Sequence, residues 1–547
     1  PPRSTLFPYT TLFRSWCFLI TMGTWICLGS WQSGAAGIDG ASEKGAAQSV
    51  GTAGGVYRLP LLNNPDTLDP AYVHDIYSSA VAHQLFDGLV QFSSDLLVIP
   101  AIAENWRVED GGKTYRFYLR KDALFHNGLP ITSHDVLFSI SRLLRASPLP
   151  TILQHLLKIS GAQTYHDGKA EMVTGLEAPS PNTFLIRLDQ PYVPILAALG
   201  MVQASIVPAS EAVHAESFSR RPVGSGPFRF GLWENNRLVS IKRFDRYYGG
   251  KALLEGIDFL IYPGVAIERV WADFRDKKLD EMPVYPQIVQ NLKGDSNLKW
   301  LHRPSLSLLF YGINQTRAEL RDPAMRQAMS AVIDREKLNE QVYHGQYNPA
   351  ALFLPPGMPG YTPPDSKALS GARSFSEAEG KPRQIEVVSG SRSPLAQAEL
   401  AFVGEAWKQI GIELVPKYIP DWPEFERYIR SDSVQVYRYA WFADLPDPDG
   451  FLRMLFGTQS PVNYSRFSDP GIDALFQKAV GEVDPHERAR MYQLAEKRIL
   501  DACPAIPLLY LSVDHVYQPN VRGVELSVLG AHATSYRSVW LDETGSK

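Results

Sequence analysis

Three aspartates stand close together in residues 444–450, which read DLPDPDG, and carboxylates at this spacing are candidates for acid–base or cation chemistry. A glycosidase needs such a pair, but Asp447-Pro448 and Asp449-Gly450 are turn dipeptides, and Asp449 is placed to cap the helix that follows. The spacing also fails a calcium loop, which requires a glutamate at its twelfth position. Asp444 is therefore the functional candidate, and the other two aspartates are expected to be structural.

Arg392 offers the opposite charge and follows a strand-like segment, residues 384–388. Ser393-Pro394 begins a helix that ends at Gly411, and residues 412–415 begin the next strand. This strand–helix–strand order predicts a parallel pair with a right-handed crossover.

Asp444 also follows a predicted strand, residues 434–439. Ligands of open parallel sheets bind beyond the carboxyl ends of the strands. If both strands share one sheet with the same polarity, Arg392 and Asp444 are expected to border one crevice with opposite charges.

Motifs of catalysis are otherwise absent from the sequence. HExxH, CxxC and G-x-S-x-G do not occur, and Gly224-Ser225-Gly226-Pro227 lacks the third glycine of a dinucleotide-binding loop. The 12 histidines are scattered, and His83 and His126 are expected to be structural. We therefore expect no enzyme, no cofactor and no metal site; a secreted hydrolase built on the acid cluster is the weaker alternative.

Composition and patterning indicate a large globular α/β protein. The chain has 547 residues, 45% of them hydrophobic, and a net charge of -4 with no basic run, which argues against nucleic acid as the main ligand. Strand-like and helix-like segments alternate without a repeat of fixed period. Asp322-Pro323 should begin a helix, whose apolar face is formed by Met325, Ala328, Met329, Val332 and Ile333.

The first 55 residues differ from the rest. Residues 1–15 contain LFPYTTLFRS, which looks like a translated sequencing adapter, so we interpret them as an assembly artefact. Residues 16–35 have the apolar stretch and small-residue site of a signal peptide, and 36–55 read as a flexible linker. Lipid anchoring at Cys27 is not supported by the residues before it. Cys503 alone remains outside this region, so no internal disulfide is expected.

Several motifs, in order, are similar to those of the extracytoplasmic solute-binding proteins of ABC importers, in the family of oligopeptide- and dipeptide-binding proteins (family 5). The resemblance covers close to 490 residues. The matching segments are Asp66-Thr67-Leu68-Asp69-Pro70, Phe86-Asp87-Gly88-Leu89, Ala103-Glu104-Asn105-Trp106, Phe125-His126-Asn127-Gly128, Gly224-Ser225-Gly226-Pro227-Phe228, Ile333-Asp334-Arg335, Trp441-Phe442-Ala443-Asp444 and Asn463-Tyr464-Ser465.

The resemblance implies a two-lobed periplasmic-binding-protein-like fold of the large peptide-binding type (class II), with hinge strands and an interlobe cleft. Lobe I would comprise 56–305 plus 515–547, and lobe II 306–514. Short peptides would be the ligands, and the membrane subunits of an ABC permease the partners of a monomeric protein. The alternative is the same fold with a nickel complex, haem or an oligosaccharide as its ligand.

The resemblance also implies roles for individual residues. Asp444 would pair with the α-ammonium group of a peptide, and Arg392 would hold the α-carboxylate. Aromatic walls are expected from Trp441, Tyr439 and Tyr464, although each of these rings could equally belong to the core. Asn463 belongs to the last ligand-facing motif.

Overall fold

The structure, a computed structural model, describes residues 54–284, 292, 297–364 and 383–542. The predicted adapter artefact and signal peptide, and the linker up to residue 53, lie outside these residues, as do residues 543–547.

The strands are numbered in chain order. They are β1 (Val56–Leu61), β2 (Val90–Phe92), β3 (Val98–Pro100), β4 (Ala103–Glu109), β5 (Thr114–Leu119), β6 (Leu176–Ser180), β7 (Thr183–Arg187), β8 (Phe228–Glu234), β9 (Leu238–Arg243), β10 (Gly256–Ile261), β11 (Glu281–Pro283), β12 (Lys299–Pro304), β13 (Ser307–Ile313), β14 (Asn348–Pro349), β15 (Arg383–Ser389), β16 (Ile412–Tyr418), β17 (Val436–Phe442), β18 (Ala505–Tyr510), β19 (Ser512–Tyr517), β20 (Val521–Arg522) and β21 (Trp540–Leu541).

The α-helices are named by their bounds. They are Ile76–Leu85, Ser133–Leu143, Leu153–Leu156, Ala162–His166, Pro194–Ala198, Ala209–Ala212, Ala215–Arg220, Ile267–Arg275, Pro323–Ala331, Arg335–Tyr343, Pro394–Lys408, Trp422–Ile429, Asp449–Phe456, Pro470–Ala479 and Pro485–Ala502.

The fold is mixed α/β with two lobes. Lobe I contains three larger sheets, with strand orders β1-β10-β9-β8, β4-β5-β7-β6 and β11-β19-β12. The sheet β11-β19-β12 joins strands from distant parts of the chain. The carboxyl-terminal part of the chain also contacts this sheet. Tyr57 and Tyr536 both donate their hydroxyl groups to the buried Glu281 of β11 at 2.8 Å.

Lobe II is built on one six-stranded sheet, ordered β14-β18-β13-β17-β15-β16. β15 is parallel to β16 and to β17, so the predicted strand–helix–strand unit is confirmed. Every residue of the central strand β13 is buried, because helices cover both faces of the sheet. Along β17, Tyr437, Tyr439 and Trp441 face one helical layer, and Arg438 faces the other.

Helix starts follow the sequence signals closely. Asp322 caps Pro323–Ala331 by accepting the N–H of Ala324, as predicted, and Ser393 caps Pro394–Lys408 by accepting the N–H of Ala396. Val332 and Ile333 continue the apolar pattern but lie after the first of these helices ends. They are buried all the same, so the pattern predicted burial correctly and the helix length incorrectly.

The chain passes between the lobes at two places, from β12 to β13 and from β18 to β19. These crossings lie side by side, because Ser305 donates its N–H to the carbonyl of Leu511 at 2.9 Å. The boundaries at 305/306 and 514/515 stay a prediction; the second falls within β19.

Candidate functional site

Asp444 lies two residues beyond β17, beside the crossing between the lobes. Ala443 donates its N–H to the carbonyl of Leu306 at 2.8 Å, and Leu306 donates its own N–H to Val528 at 3.2 Å. The carboxyl end of β17 is therefore fixed to Leu306, one of the two residues that separate β12 from β13. Any change in the angle between the lobes is centred close to Asp444.

The Asp444 side chain is exposed to water, although many protein atoms surround its carboxylate. This enclosure raises the pKa of Asp444 to about 6, and no charged group contributes. Among the described residues no hydrogen bond or ion pair satisfies the carboxylate. A cation that entered the cleft would meet an unpaired negative charge in a partly desolvated place.

Arg392 is exposed in the loop that follows β15. Serines define this loop: Ser391 donates its N–H to Ser389 Oγ at 3.1 Å, and the hydroxyl of Ser391 donates to that of Ser393 at 3.2 Å. Gln397 donates to the carbonyl of Arg392 at 2.9 Å, so the backbone is held. Within the described residues the guanidinium forms no hydrogen bond or ion pair, and its charge acts on the neighbouring Tyr418. The sequence analysis singled out Ser393 as a helix start but not Ser389 or Ser391, although the alternate spacing of the three serines was a signal for a side-chain-bonded loop.

The structure places Arg392 and Asp444 at the same edge of one sheet, but not in contact. Both follow the carboxyl ends of strands that are parallel, as the crevice hypothesis required. The absence of any charge effect on Asp444 shows that the guanidinium is not its ion-pair partner. The two charges are therefore separately available to a ligand.

The three predicted wall residues do not share one environment. Trp441 is half-buried and donates its indole N–H to the carbonyl of Gly450 at 2.8 Å, which orients its ring at the end of β17. Tyr439 and Tyr464 are 8% and 4% exposed, and their ring centroids are 5.9 Å apart within the lobe II core. Of the three rings, only that of Trp441 is partly exposed, and it also packs against the lobe II core.

Asn463 is buried, and its polar atoms are engaged within its own loop. Its amide donates to the carbonyls of Gly457 and Phe467 at 3.1 and 2.8 Å, and its oxygen accepts the hydroxyl of Ser465 at 2.8 Å. These bonds hold the loop that places Tyr464 in the core. A direct ligand contact for Asn463 stays a prediction, and we leave it out of the site proposed below.

Asp447 and Asp449 are structural, but not in the way predicted for Asp449. Asp449 is the first residue of Asp449–Phe456 and pairs with Arg453 one turn later, at 2.8 Å. Asp447 is the side chain that accepts a backbone N–H at this helix start, from Asp449 at 3.0 Å, and it pairs with Arg488 at 2.8 Å. Asp447 therefore has the capping role that was predicted for Asp449, consistent with the turn preference of Asp447-Pro448.

His83 and His532 lie near each other within lobe I, on two elements that are in contact. Gln84 donates to the carbonyl of Thr534 at 2.8 Å and accepts the N–H of Tyr536 at 3.1 Å, which fixes the helix Ile76–Leu85 against the segment that carries His532. Burial lowers the pKa of both imidazoles to about 4, and His83 contributes to the shift of His532. A lowered pKa favours the neutral form of both imidazoles at pH 7, and a neutral imidazole is the form that binds a metal.

His126 has the structural role predicted for it. Its Nε2 lies 3.1 Å from the carbonyl of Gly226, and its Nδ1 accepts the N–H of Gly224 at 3.1 Å. Within the described residues, one group has ligand atoms close enough for a metal ion: Asp66, His74 and Asp75 on the surface of lobe I. His74 pairs with Asp66 at 3.2 Å, and Asp75 caps Ile76–Leu85, so both carboxylates already have structural functions.

The two lobes, the sheet orders and an unpaired carboxylate beside the crossing define a ligand-binding protein of the two-lobed type. Residues 98–462 match the family described as "Bacterial extracellular solute-binding proteins, family 5 Middle". The chain belongs to this family, whose members are the solute-binding components of ABC importers and not enzymes.

Relatives extend over most of the chain. The dipeptide-binding protein of Escherichia coli is 26% identical over 478 residues, 82% of this chain and 88% of that protein. Heme-binding protein A of Haemophilus influenzae is also 26% identical, over 83% of this chain and 87% of that protein. The murein tripeptide binding protein MppA, in a structure described as the unliganded open form, superposes with a TM-score of 0.78 at 22% identity and covers 90% of this chain and 97% of its own.

Helices able to cross a membrane were sought in the described ranges 54–284, 297–364 and 383–542. None of the helices there combines the necessary length with the necessary apolar character.

Proposed function

We propose that this protein captures short peptides with free termini between its lobes and delivers them to the membrane permease of an ABC importer. The proposal includes export by the segment 16–35, a location in the periplasm and a monomeric state. The observation that carries the proposal is the Asp444 carboxylate, which is enclosed by protein, unpaired and adjacent to the crossing between the lobes. A peptide ammonium group is a cation that such a carboxylate can bind by charge-assisted hydrogen bonds.

Arg392 supports the same ligand class. A guanidinium binds a carboxylate through two parallel hydrogen bonds, and the start of Pro394–Lys408 adds the positive end of a helix dipole nearby. A peptide that leaves water needs a partner for each terminal charge. The Asp444 and Arg392 side chains would supply one partner each.

The first prediction concerns the terminal charges. Titration with a free dipeptide, followed by tryptophan fluorescence, should give saturable binding, and N-acetylation of the dipeptide should abolish it. Asp444→Asn should weaken binding of the free dipeptide by about 30-fold or more, equivalent to about 2 kcal/mol, because the ammonium group loses its partner. Asp122→Asn, at an exposed position of lobe I, is the matched control and should change nothing.

The carboxylate end is tested in the same titration. Amidation of the peptide should weaken binding to the wild-type protein and have little further effect on Arg392→Ala. Equal affinity for free and N-acetylated dipeptides would contradict the role of Asp444. Equal sensitivity of wild type and Arg392→Ala to amidation would contradict the role of Arg392.

A second candidate ligand is haem, and the His83–His532 pair favours it. Neutral imidazoles bind haem iron, and the two rings lie near each other in lobe I. The family relative named Heme-binding protein A is consistent with this chemistry. The second prediction is that hemin added to the protein gives a shifted Soret band which His83→Ala and His532→Ala remove, whereas His134→Ala, at an exposed site, retains it. A shifted Soret band that survives both substitutions would show that neither His83 nor His532 binds the haem iron.

A further inference from the structure

The loop that carries Asp444 is held from two sides. Ala443, one residue before it, is bonded to Leu306 at the crossing between the lobes. Leu445, one residue after it, is 4% exposed and packs in the hydrophobic core of lobe I, although its backbone belongs to lobe II. The carboxylate thus lies between a contact at the crossing and a contact inside the opposite lobe.

Ion pairs of lobe II stand directly behind Leu445. Asp447 pairs with Arg488 at 2.8 Å and accepts the N–H of Asp449, and Asp449 pairs with Arg453 at 2.8 Å. Tyr492 donates its hydroxyl to Asp449 at 3.0 Å. Asp447 also donates its N–H to the carbonyl of Leu445 at 2.8 Å, so the network holds the backbone of the loop.

Lobe I meets this network with His155 and Tyr192, and the ammonium group of Lys158 lies 5.8 Å from the centroid of the Tyr192 ring. The Tyr192 hydroxyl and His155 Nδ1 are 2.7 Å apart, and burial together with the charge of Asp449 raises the pKa of Tyr192. Val193 donates its N–H to the carbonyl of Val480 at 2.9 Å, which is a direct backbone bond between the lobes. Val480 also packs against the lobe I core that contains Leu445.

We propose that this contact, the loop anchor, is a connection between the lobes that is separate from the two crossings and that positions Asp444. The loop anchor consists of Leu445 and Val480 with the Asp447–Arg488 and Asp449–Arg453 ion pairs on lobe II, and of His155, Tyr192 and Val193 on lobe I. Leu445 is its positioning residue. The inference rests on the proposed function insofar as Asp444 binds a ligand, but the anchor itself is defined without one.

A physical coupling follows from this placement. Asp444 is flanked by residues fixed to different lobes, so movement of one lobe against the other must shift the carboxylate. A ligand that holds the carboxylate in one position favours the arrangement of lobes that produces it. Loss of the Leu445 side chain would remove the contact between the loop and the lobe I core, while the Asp444 carboxylate itself would be retained.

The third prediction compares Leu445→Ala with Leu400→Ala, which removes an equally buried leucine from the lobe II core alone. Spin labels at Lys169→Cys and Lys408→Cys, both exposed, report the distance between the lobes without peptide, while the buried Cys503 stays unlabelled. Leu445→Ala should broaden the distance distribution and weaken dipeptide binding at least tenfold. Leu400→Ala should leave the distribution unchanged and the affinity within twofold.

A ligand-free readout isolates the positioning of Asp444. Asp444→Asn should change the pH dependence of thermal stability less in Leu445→Ala than in the wild-type protein, because the freed loop exposes the carboxylate to water. If the two leucine variants behave alike in the distance distribution and in this pH comparison, the loop anchor is refuted. Failure of peptides to bind the wild-type protein would refute the proposed function instead. The distance distribution and the pH comparison, which need no peptide, would still test the loop anchor. Should Leu445→Ala not fold, Leu445→Val against Leu400→Val gives the same comparison.

Discussion

At the scale of single residues, the raised pKa of Asp444 makes a fourth prediction, about stability. An aspartate in an unfolded chain has a pKa of about 3.9, whereas that of Asp444 in the folded protein is about 6. Between these values the folded state holds more protons than the unfolded state, so the free energy of unfolding falls as pH rises through this window. The Asp444→Asn substitution removes the titrating group, so the variant should not show this fall in the free energy of unfolding.

The measurement is thermal unfolding of the wild-type protein and of Asp444→Asn from pH 3.5 to 7.5 without ligand. The two proteins should unfold at the same temperature below about pH 4, and the variant should be the more stable above about pH 6. Asp122→Asn again serves as the control. A constant difference across the whole range would show that the Asp444 carboxylate is not held in an enclosed position.

Side-chain chemistry in the sequence was enough to predict structural roles for Asp447 and Asp449, whereas the ligand-binding role of Asp444 stays a prediction. Turn dipeptides marked Asp447 and Asp449 as structural, and the structure gives both of them arginine partners. Local sequence could not identify those partners, because Arg488 is 41 residues from Asp447. The same limit applies to Tyr439. The alternation of residues along β17 predicts that Tyr439 shares a face of the strand with Trp441, but it does not predict which aromatic rings pack against Tyr439.

At the scale of elements, Gly312 makes a fifth prediction. It lies in β13 opposite Tyr437 of β17, and a Cβ at this position would overlap the Tyr437 ring. That ring is held by contacts with Phe310, Tyr439 and Tyr464 at centroid distances of 6.3, 6.2 and 5.9 Å, so it has little room to move. Gly312→Ala should lower the free energy of unfolding by about 1–3 kcal/mol through overpacking.

Denaturant unfolding with a double-mutant cycle checks this result. In a Tyr437→Ala background the added methyl group meets no ring, so Gly312→Ala should have little further effect. Gly404→Ala, where a Cβ would make only ordinary contact with Leu414, is the matched control within the same lobe. Additive effects of Gly312→Ala and Tyr437→Ala would show that the overlap is relieved elsewhere.

Element order was predictable where caps and glycines mark the ends of helices. The unit from β15 to β16 was predicted from Ser393-Pro394, Gly411 and the apolar runs beside them, and it is parallel as expected. The loop between Ser389 and Ser393 was not predictable in detail, since its shape depends on hydroxyl bonds among serines. Short-range signals therefore placed Arg392 at the correct edge of the sheet without giving its surroundings.

At the scale of the whole molecule, the lobes are joined by more than the two crossings. Leu445 and the Val193–Val480 bond lie on a surface that no periodicity in the sequence indicates, because one leucine in a polar loop does not reveal which core it enters. The resemblance to a known family supplied the two-lobed arrangement, and the matched region, residues 98–462, supports it. The loop anchor could not be predicted from the sequence, because it depends on contacts between residues that are far apart in the chain.

The sheet β11-β19-β12 and the Tyr57–Glu281–Tyr536 cluster also set the order in which the chain can fold. Strand β19 lies between strands more than 200 residues earlier in the chain, so lobe I stays incomplete on the ribosome until residue 536 has been made. Contacts between such distant residues form slowly, because long loops must close first. The fold of lobe I is therefore completed only after the strands of lobe II, β13 to β18, have been synthesised.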